Sequence, residues 1–244
     1  MYDKEYITEN ILKYYKYIRN DYNDTEIKHY KLTSGINFGI LEENNYSNYP
    51  SIVINLFLKP SQNLYDLSHF IRPWNKEYDI DWCQNADADA DAETYNDEYW
   101  VNRSIYNLVH NNNCKNNFIN IILDRLNSRG INNVKLNIVG YSYGGCLGLY
   151  LAMYLTQKNI IHSSFIKCII IDAPQFCSQK LLDKYNNYYF ISGSIIPYIF
   201  SIMGYGKYKI DYKVTRVSIN IIYNHLKTIE NWINEHRSDY NIDP

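Results

Sequence analysis

Glycine is scarce in this 244-residue chain, at ten residues, and proline scarcer still, at six. That excludes collagen-like repeats and Gly/Pro-rich low-complexity sequence. Neither sign of charge is in excess: 24 Lys+Arg face 26 Asp+Glu, a formal net charge of −2. A nucleic-acid binder would normally show a basic surplus, so that class is not expected. The cysteines number five, at 83, 114, 146, 168 and 177, with no CxxC and no Cys/His spacing. An odd, scattered set argues against a disulfide framework and a structural metal, and for free thiols in a reducing compartment. Long apolar runs are also missing. The stretches 165–171 and 194–203 fall far short of the ~20 residues of a membrane-spanning helix. The opening Met1-Tyr2-Asp3-Lys4-Glu5 has no basic region leading into an apolar one. A secretory signal is therefore not expected, and a cytoplasmic location is.

What is present is a globular composition. Hydrophobic residues make up 46% and charged residues 20%, enough apolar surface to exclude wholesale disorder. The length suits a single domain over 1–244. Tyrosine is the outlier, at 27 residues. Together with abundant Asn and Ile it points to an AT-rich genome, such as a viral or protist one, before it points to chemistry.

Apolar residues at helical spacing (Ile7, Ile11, Leu12, Tyr15, Ile18) predict an amphipathic helix over 5–18, within an N-terminal helical extension over 1–30. Residues 31–41 alternate loosely and read as a strand pair or hairpin. The apolar run at 51–58 reads as a buried strand ended by Lys59-Pro60-Ser61. Ala-Asp repeats within 85–97 form an acidic low-complexity patch that cannot bury apolar surface, hence a surface loop. A long helical stretch is expected over 102–129, broken near 111–117. Strands follow at 134–139, 165–171 and 187–191, then an extended segment at 207–217. Helices are expected at 143–157 and 226–236. From residue 51 on, strands and helices alternate. The expected class is α/β, with a mostly parallel central sheet flanked by helices.

Chemistry concentrates at Gly140-Tyr141-Ser142-Tyr143-Gly144-Gly145, between the strand at 134–139 and the helix at 143–157. The pattern is G-x-S-x-G. A serine on a tight strand-to-helix turn projects its Oγ above the sheet edge. Cβ atoms two residues before and after it would clash there, which Gly140 and Gly144 avoid, and Gly145 lets the helix start close to the strands. The helix N-terminus offers N–H groups to a developing oxyanion. Such a motif arises by chance roughly 0.03 times in a chain of this composition. Ser142 is the nucleophile candidate; the alternative is a glycine-rich turn with a solvated serine.

The run 140–148 resembles the elbow of the class 3 (fungal-type) lipases of the α/β-hydrolase superfamily. Weaker matches keep the order: 51–61 is similar to the strand before the family's Phe-Arg-Gly-Thr loop, Asp172-Ala173-Pro174 to its Gly-x-Pro turn, Ser194-Ile195-Ile196-Pro197 to its Asp-x-Val-Pro segment, and His225 to the histidine before its final helix. The resemblance implies a carboxylic-ester hydrolase acting through a Ser142 acyl-enzyme on a small-molecule or lipid ester, with no cofactor and no metal.

A serine nucleophile needs a base and an orienting acid, here in the order Ser, acid, His. His162, His225 and His236 follow Ser142. Asn224 reads as a helix cap beside His225, which occupies the place the resemblance implies for the general base. Ser194 stands where the family carries its aspartate. Asp172, at the end of the 165–171 strand, is the replacement acid favoured here; Asp211, Asp183 and no acid at all stay open. The oxyanion donors would be the N–H of Tyr143 and one from the loop after residue 58. Pro60 has no N–H, so Lys59 or Ser61 must serve; Ser61 is the expectation. The stretch 194–205 reads as core with a partial pocket wall, or as a lid. Two other functions stay open: a catalytically degenerate relative acting as a binding or scaffold protein, and a thioesterase or acyltransferase.

Overall fold

The computed structural model describes residues 2–22, 26–32, 36–44, 50–60, 76–78, 99–110, 118–199, 205–215 and 221–240. Ser61, Cys83, Cys114, Phe200, Met203 and Gly204 lie outside them, as does the acidic stretch 85–97.

Apolar runs without polar alternation form strands that are covered on both faces. Three of them, β3 (Ile52–Leu58), β6 (Val134–Tyr141) and β7 (Ile166–Ile171), make the centre of a seven-stranded sheet. The sheet order is β1-β2-β3-β6-β7-β8-β9, with β1 (Ile27–Lys31), β2 (Asn37–Asn44), β8 (Tyr189–Ser192) and β9 (Tyr212–Lys213) completing it. From β3 to β9 the neighbours are parallel; β1 and β2 are antiparallel additions at one edge. A small second ladder pairs β4 (Lys76–Tyr78) with β5 (Trp100–Asn102). This is the mostly parallel α/β sheet expected from the sequence.

The period of two along each strand sorts side chains between two helical layers. On one face, Leu136, Ile138, Cys168 and Ile170 join the core built with α2 (Arg103–His110), α3 (Phe118–Arg129), α4 (Tyr143–Gln157) and α5 (Gln179–Lys184). On the other, Val139, Tyr141, Ile169 and Ile171 pack with α1 (Lys4–Arg19) and α7 (Ile221–Tyr240). A short helix, α6 (Ile196–Ile199), follows β8.

Helix α1 is fixed by its ends and by a polar ladder. Asp3 caps it by accepting from the Tyr6 N–H, and Asn20 closes it in the left-handed region at φ 59°. Beneath it, Tyr6 donates to Asn137 (2.8 Å), Asn137 to Asn55 (2.9 Å), and Asn55 to Glu43 (2.8 Å). Each polar group of this ladder is thus partnered, so the helix is seated in one register. Residues 1–30 therefore contribute α1 and most of β1 to the same two-layered body.

Two expectations shift. The strand pair or hairpin read at 31–41 is an antiparallel pair with wider bounds, 27–31 with 37–44. The final helix starts at Ile221, not Leu226, so His225 and Asn224 sit inside it. Asn224 is no cap: its carbonyl accepts from the Thr228 hydroxyl at 2.9 Å.

Candidate active site

Strand β6 delivers Ser142 and strand β7 delivers Asp172, each one residue past its strand end. Both backbone N–H groups still belong to the ladder: Ser142 donates to Ile171 O at 2.9 Å and Asp172 to Ile191 O at 2.7 Å. The two residues therefore leave adjacent strands at one edge of the sheet. Both then turn sharply, with φ of 54° at Ser142 and 47° at Asp172. Positive φ in a non-glycine residue is uncommon and costs on the order of 1–3 kcal/mol.

The glycines explain how the turn at Ser142 closes. A Cβ on Gly140 would lie 2.4 Å from the Gly144 carbonyl oxygen. One on Gly144 would lie 2.5 Å from Leu58 O and 2.6 Å from Lys59 O. One on Gly145 would press on Ala173 at 2.8 Å. Ser142 is the N-terminal cap of α4, yet its side chain makes no capping bond. Its Oγ lies instead 3.0 Å from His225 Nε2. The other ring nitrogen, Nδ1, lies 2.6 Å from Asp172 Oδ2. Since the carboxylate accepts, Nδ1 carries the proton, and Nε2 is left to accept from the Ser142 hydroxyl. Asp172 is fully buried, Ser142 nearly so, and the His225 side chain keeps 14% exposure. The relay thus runs from a fully buried carboxylate through a histidine that keeps partial exposure to a nearly buried serine.

Asp172 is held by a nest of donors. The N–H groups of Gly193 and Ser194 both reach Oδ1 at 3.0 Å, and the Ser194 hydroxyl reaches Oδ2 at 2.6 Å. Ser194 in turn accepts from the Ile196 N–H at 3.1 Å. A serine in the place of the expected aspartate therefore supports the carboxylate that stands in for it. Gly193 is required here because a Cβ would lie 2.3 Å from Thr228 Oγ1, one turn along α7 from His225. Tyr141 adds a strut: its phenol donates to the His225 carbonyl oxygen, and the two rings lie 5.0 Å apart. Burial, and after it the nearby Asp172 and Glu230 carboxylates, push that phenol well above its ordinary pKa, so it remains a donor.

The other candidates are occupied elsewhere. His162 caps a short helical turn through the Ser164 N–H. His236 stacks on Trp232 at 4.2 Å and bonds its carbonyl. Asp211 accepts from the Phe190 N–H at 2.9 Å, and Asp183 from Gln179 at 2.7 Å.

On the oxyanion side the picture is thinner. Tyr143 opens α4 directly after Ser142. The Lys59 N–H donates to Asn37 O at 3.0 Å and is committed to the sheet. Pro60 has none, and Ser61 lies outside the described residues. Of the stretch read as core or lid, Ser194 and Pro197 are buried, Tyr198 is 38% exposed, and Tyr205 is buried. Among the described residues no group of three His, Cys, Asp or Glu is placed to hold a metal ion, and no helix is long and apolar enough to cross a membrane.

Solved structures similar to this arrangement of strands and helices include several lipases. M37 lipase superposes over 100% of this chain and 96% of its own, with a TM-score of 0.58 at 13% identity. The Rhizomucor miehei lipase, solved with its propeptide, gives 0.52 at 14% identity over 84% of this chain and 67% of its own. The lipase of Rhizopus microsporus var. chinensis gives 0.51 at 11% over 84% and 72%. The chain has a lipase-like α/β-hydrolase fold. At this identity the likeness is one of fold. No family model and no curated protein matches the sequence. Within the lipase-like fold, sequence reasoning did not find the Gly193 N–H, Thr228 or the Tyr141 phenol as parts of the site. Nothing in the sequence singles out Gly193, and the other two act through contacts more than 50 residues apart in sequence.

Proposed function

We propose that this protein is a serine hydrolase that cleaves carboxylic esters, of lipids or of other small molecules, through an acyl-enzyme on Ser142. The observation that carries the proposal is the continuous relay from Ser142 Oγ through His225 to the buried Asp172 carboxylate. Ser142 Oγ attacks the ester carbonyl while His225 Nε2 takes its proton; His225 then returns it to the leaving alcohol. Water, deprotonated by the same nitrogen, releases the acid and frees Ser142. Asp172 keeps the imidazole in the required tautomer and stabilises its charged form. The oxyanion forms beside the start of α4, where the N–H of Tyr143 serves as the first donor. The second donor falls to Ser61. No cofactor or metal enters any step.

The commitment of the Lys59 N–H to β2, with Pro60 next to it, favours a second reading: a catalytically degenerate relative that binds rather than cleaves. A thioesterase or acyltransferase would use the same attack with a different leaving group or acceptor. A fluorophosphonate probe separates the first two. Labelling of the wild type, lost in Ser142→Ala, supports the hydrolase; a folded wild type that stays unlabelled supports the binding protein. Comparison of p-nitrophenyl esters with acyl thioesters, with and without an alcohol acceptor, then selects the reaction.

A further inference from the structure

A cleft of about 230 Å³ lies at the same sheet edge as Ser142 but on its β1–β2 side, lined by Tyr17, His29, Tyr30, Lys31, Asn37 and Lys59. Strand alternation gathers its basic groups. His29 and Lys31 are two apart on β1, and Lys59 lies two beyond Phe57, which faces α1. Between them β2 offers no bulk at Gly39, where a Cβ would lie 2.5 Å from the Tyr17 ring. The Tyr17 ring fills that gap, stacked on His29 at 5.5 Å and 22°. The Lys59 ammonium lies 4.7 Å from the centre of the same ring and donates to Asn20 Oδ1 at 3.1 Å.

Among the described residues, nothing compensates the charge in this cleft. No carboxylate lines it, and neither Lys31 nor Lys59 makes an ion pair among the described residues. The nearby Asp21 carboxylate at the end of α1 is taken by Arg19 at 3.4 Å. Burial without an acidic partner holds the Lys59 ammonium below its ordinary pKa. A half-buried, unpaired cation is unfavourable unless an anion completes it. The space is smaller than the ≈ 300–1,000 Å³ of pockets for drug-sized ligands, which suits a small charged group and a few attached atoms.

We propose that this cleft binds the phosphate group of a small phosphorylated molecule, free or as the headgroup of a lipid. Lys59 and Lys31 supply the charge, and the Asn37 side chain lies within the same wall. The cleft shares a boundary with the elbow, since the Lys59 carbonyl oxygen lies against Gly144. Phosphate binding does not depend on the hydrolysis proposed for Ser142, and the test reads binding alone.

The experiment titrates inorganic phosphate and glycerol phosphate into the full chain by calorimetry or phosphorus NMR. Wild type should bind saturably, with affinity falling as salt rises. Lys59→Gln should weaken binding roughly tenfold, the effect of one charge-assisted hydrogen bond. Lys28→Gln, on the opposite face of β1, should leave it unchanged. Lys31→Gln, at an exposed position, provides the same readout should Lys59→Gln not fold. Sedimentation with phosphatidylcholine vesicles, with and without phosphatidylglycerol, distinguishes the source. Lys59-dependent capture by the anionic vesicles, competed by glycerol phosphate, assigns a headgroup; soluble binding without capture assigns a free phosphate compound. Absence of saturable binding to wild type, or equal binding by the Lys59 and Lys28 variants, overturns the proposal.

Discussion

The two sides of Ser142 are built to different standards. On the acid side, four groups donate to one carboxylate: the His225 ring, the Gly193 and Ser194 N–H groups, and the Ser194 hydroxyl; the Thr228 hydroxyl, which donates to Asn224 O, lies 3.4 Å from it. On the oxyanion side, the Lys59 N–H is spent on the sheet and Pro60 has none to give. The first side is over-determined by residues from β7, the β8 turn and α7. In the proposed reaction the second would fall to the chain that follows β3. In that reaction the relay needs one fixed geometry in every step, whereas oxyanion donors would matter only while charge develops, so a loop could supply them.

Mutations can break this contrast in graded fashion. Removing the nucleophile with Ser142→Ala should lower kcat by about 10⁶, to background, in an ester-hydrolysis assay. Asp172→Asn keeps the shape but favours the wrong imidazole tautomer; kcat should fall by about 10⁴ with KM little changed. Gly144→Ala strikes the oxyanion side, where its Cβ meets two backbone carbonyls, and should cost at least ~1–3 kcal/mol in denaturant unfolding. Ser194→Ala removes one donor of the nest and should cost roughly tenfold in kcat, about 1–2 kcal/mol. An effect as large as that of Asp172→Asn would mean that Ser194, not Asp172, holds the site together.

Alkaline pH should loosen both sides together, because a tyrosine braces each. Tyr141 bonds the His225 carbonyl, and Tyr14 bonds Leu58 O at 2.7 Å. Burial raises both phenols well above their ordinary value. Tyr188 is likewise pushed up to about 12 by burial. Above about pH 10 the unfolded chain ionises these groups while the native state holds their protons. The native state then binds more protons, so stability must fall as pH rises. The urea midpoint should be flat from pH 7 to 9 and drop beyond pH 10. A midpoint that stays level to pH 11 would contradict the burial of these tyrosines.

Much of this was legible in the residues. The helix Tyr143–Gln157 and the strands β3, β6 and β7 follow from apolar runs punctuated by glycine, a local signal. The start of α7 did not, because Ile221, Ile222 and Tyr223 are residues that favour strands in isolation, and propensity yields to tertiary packing. Ser142, His225 and Asp172 were each singled out, and the structure brings them together. The support of Asp172 by Gly193 and Thr228 was invisible, since it arises from three chain segments meeting. The abundance of tyrosine, unreadable in the sequence, has a structural use: Tyr2, Tyr14, Tyr141 and Tyr208 each tie a hydroxyl to a backbone carbonyl far along the chain.

The left-handed backbone of Asp172 has an evolutionary consequence. At φ 47° few residues fit without strain, and Asn and Gly are among them. Both differ from Asp by a single base change. A lineage could therefore lose the negative charge in one step while keeping the β7 turn and the fold around it intact. The position filters substitutions by shape before it filters them by chemistry. Silent descendants of such an enzyme would then carry Asn or Gly at 172 far more often than Ala or Val.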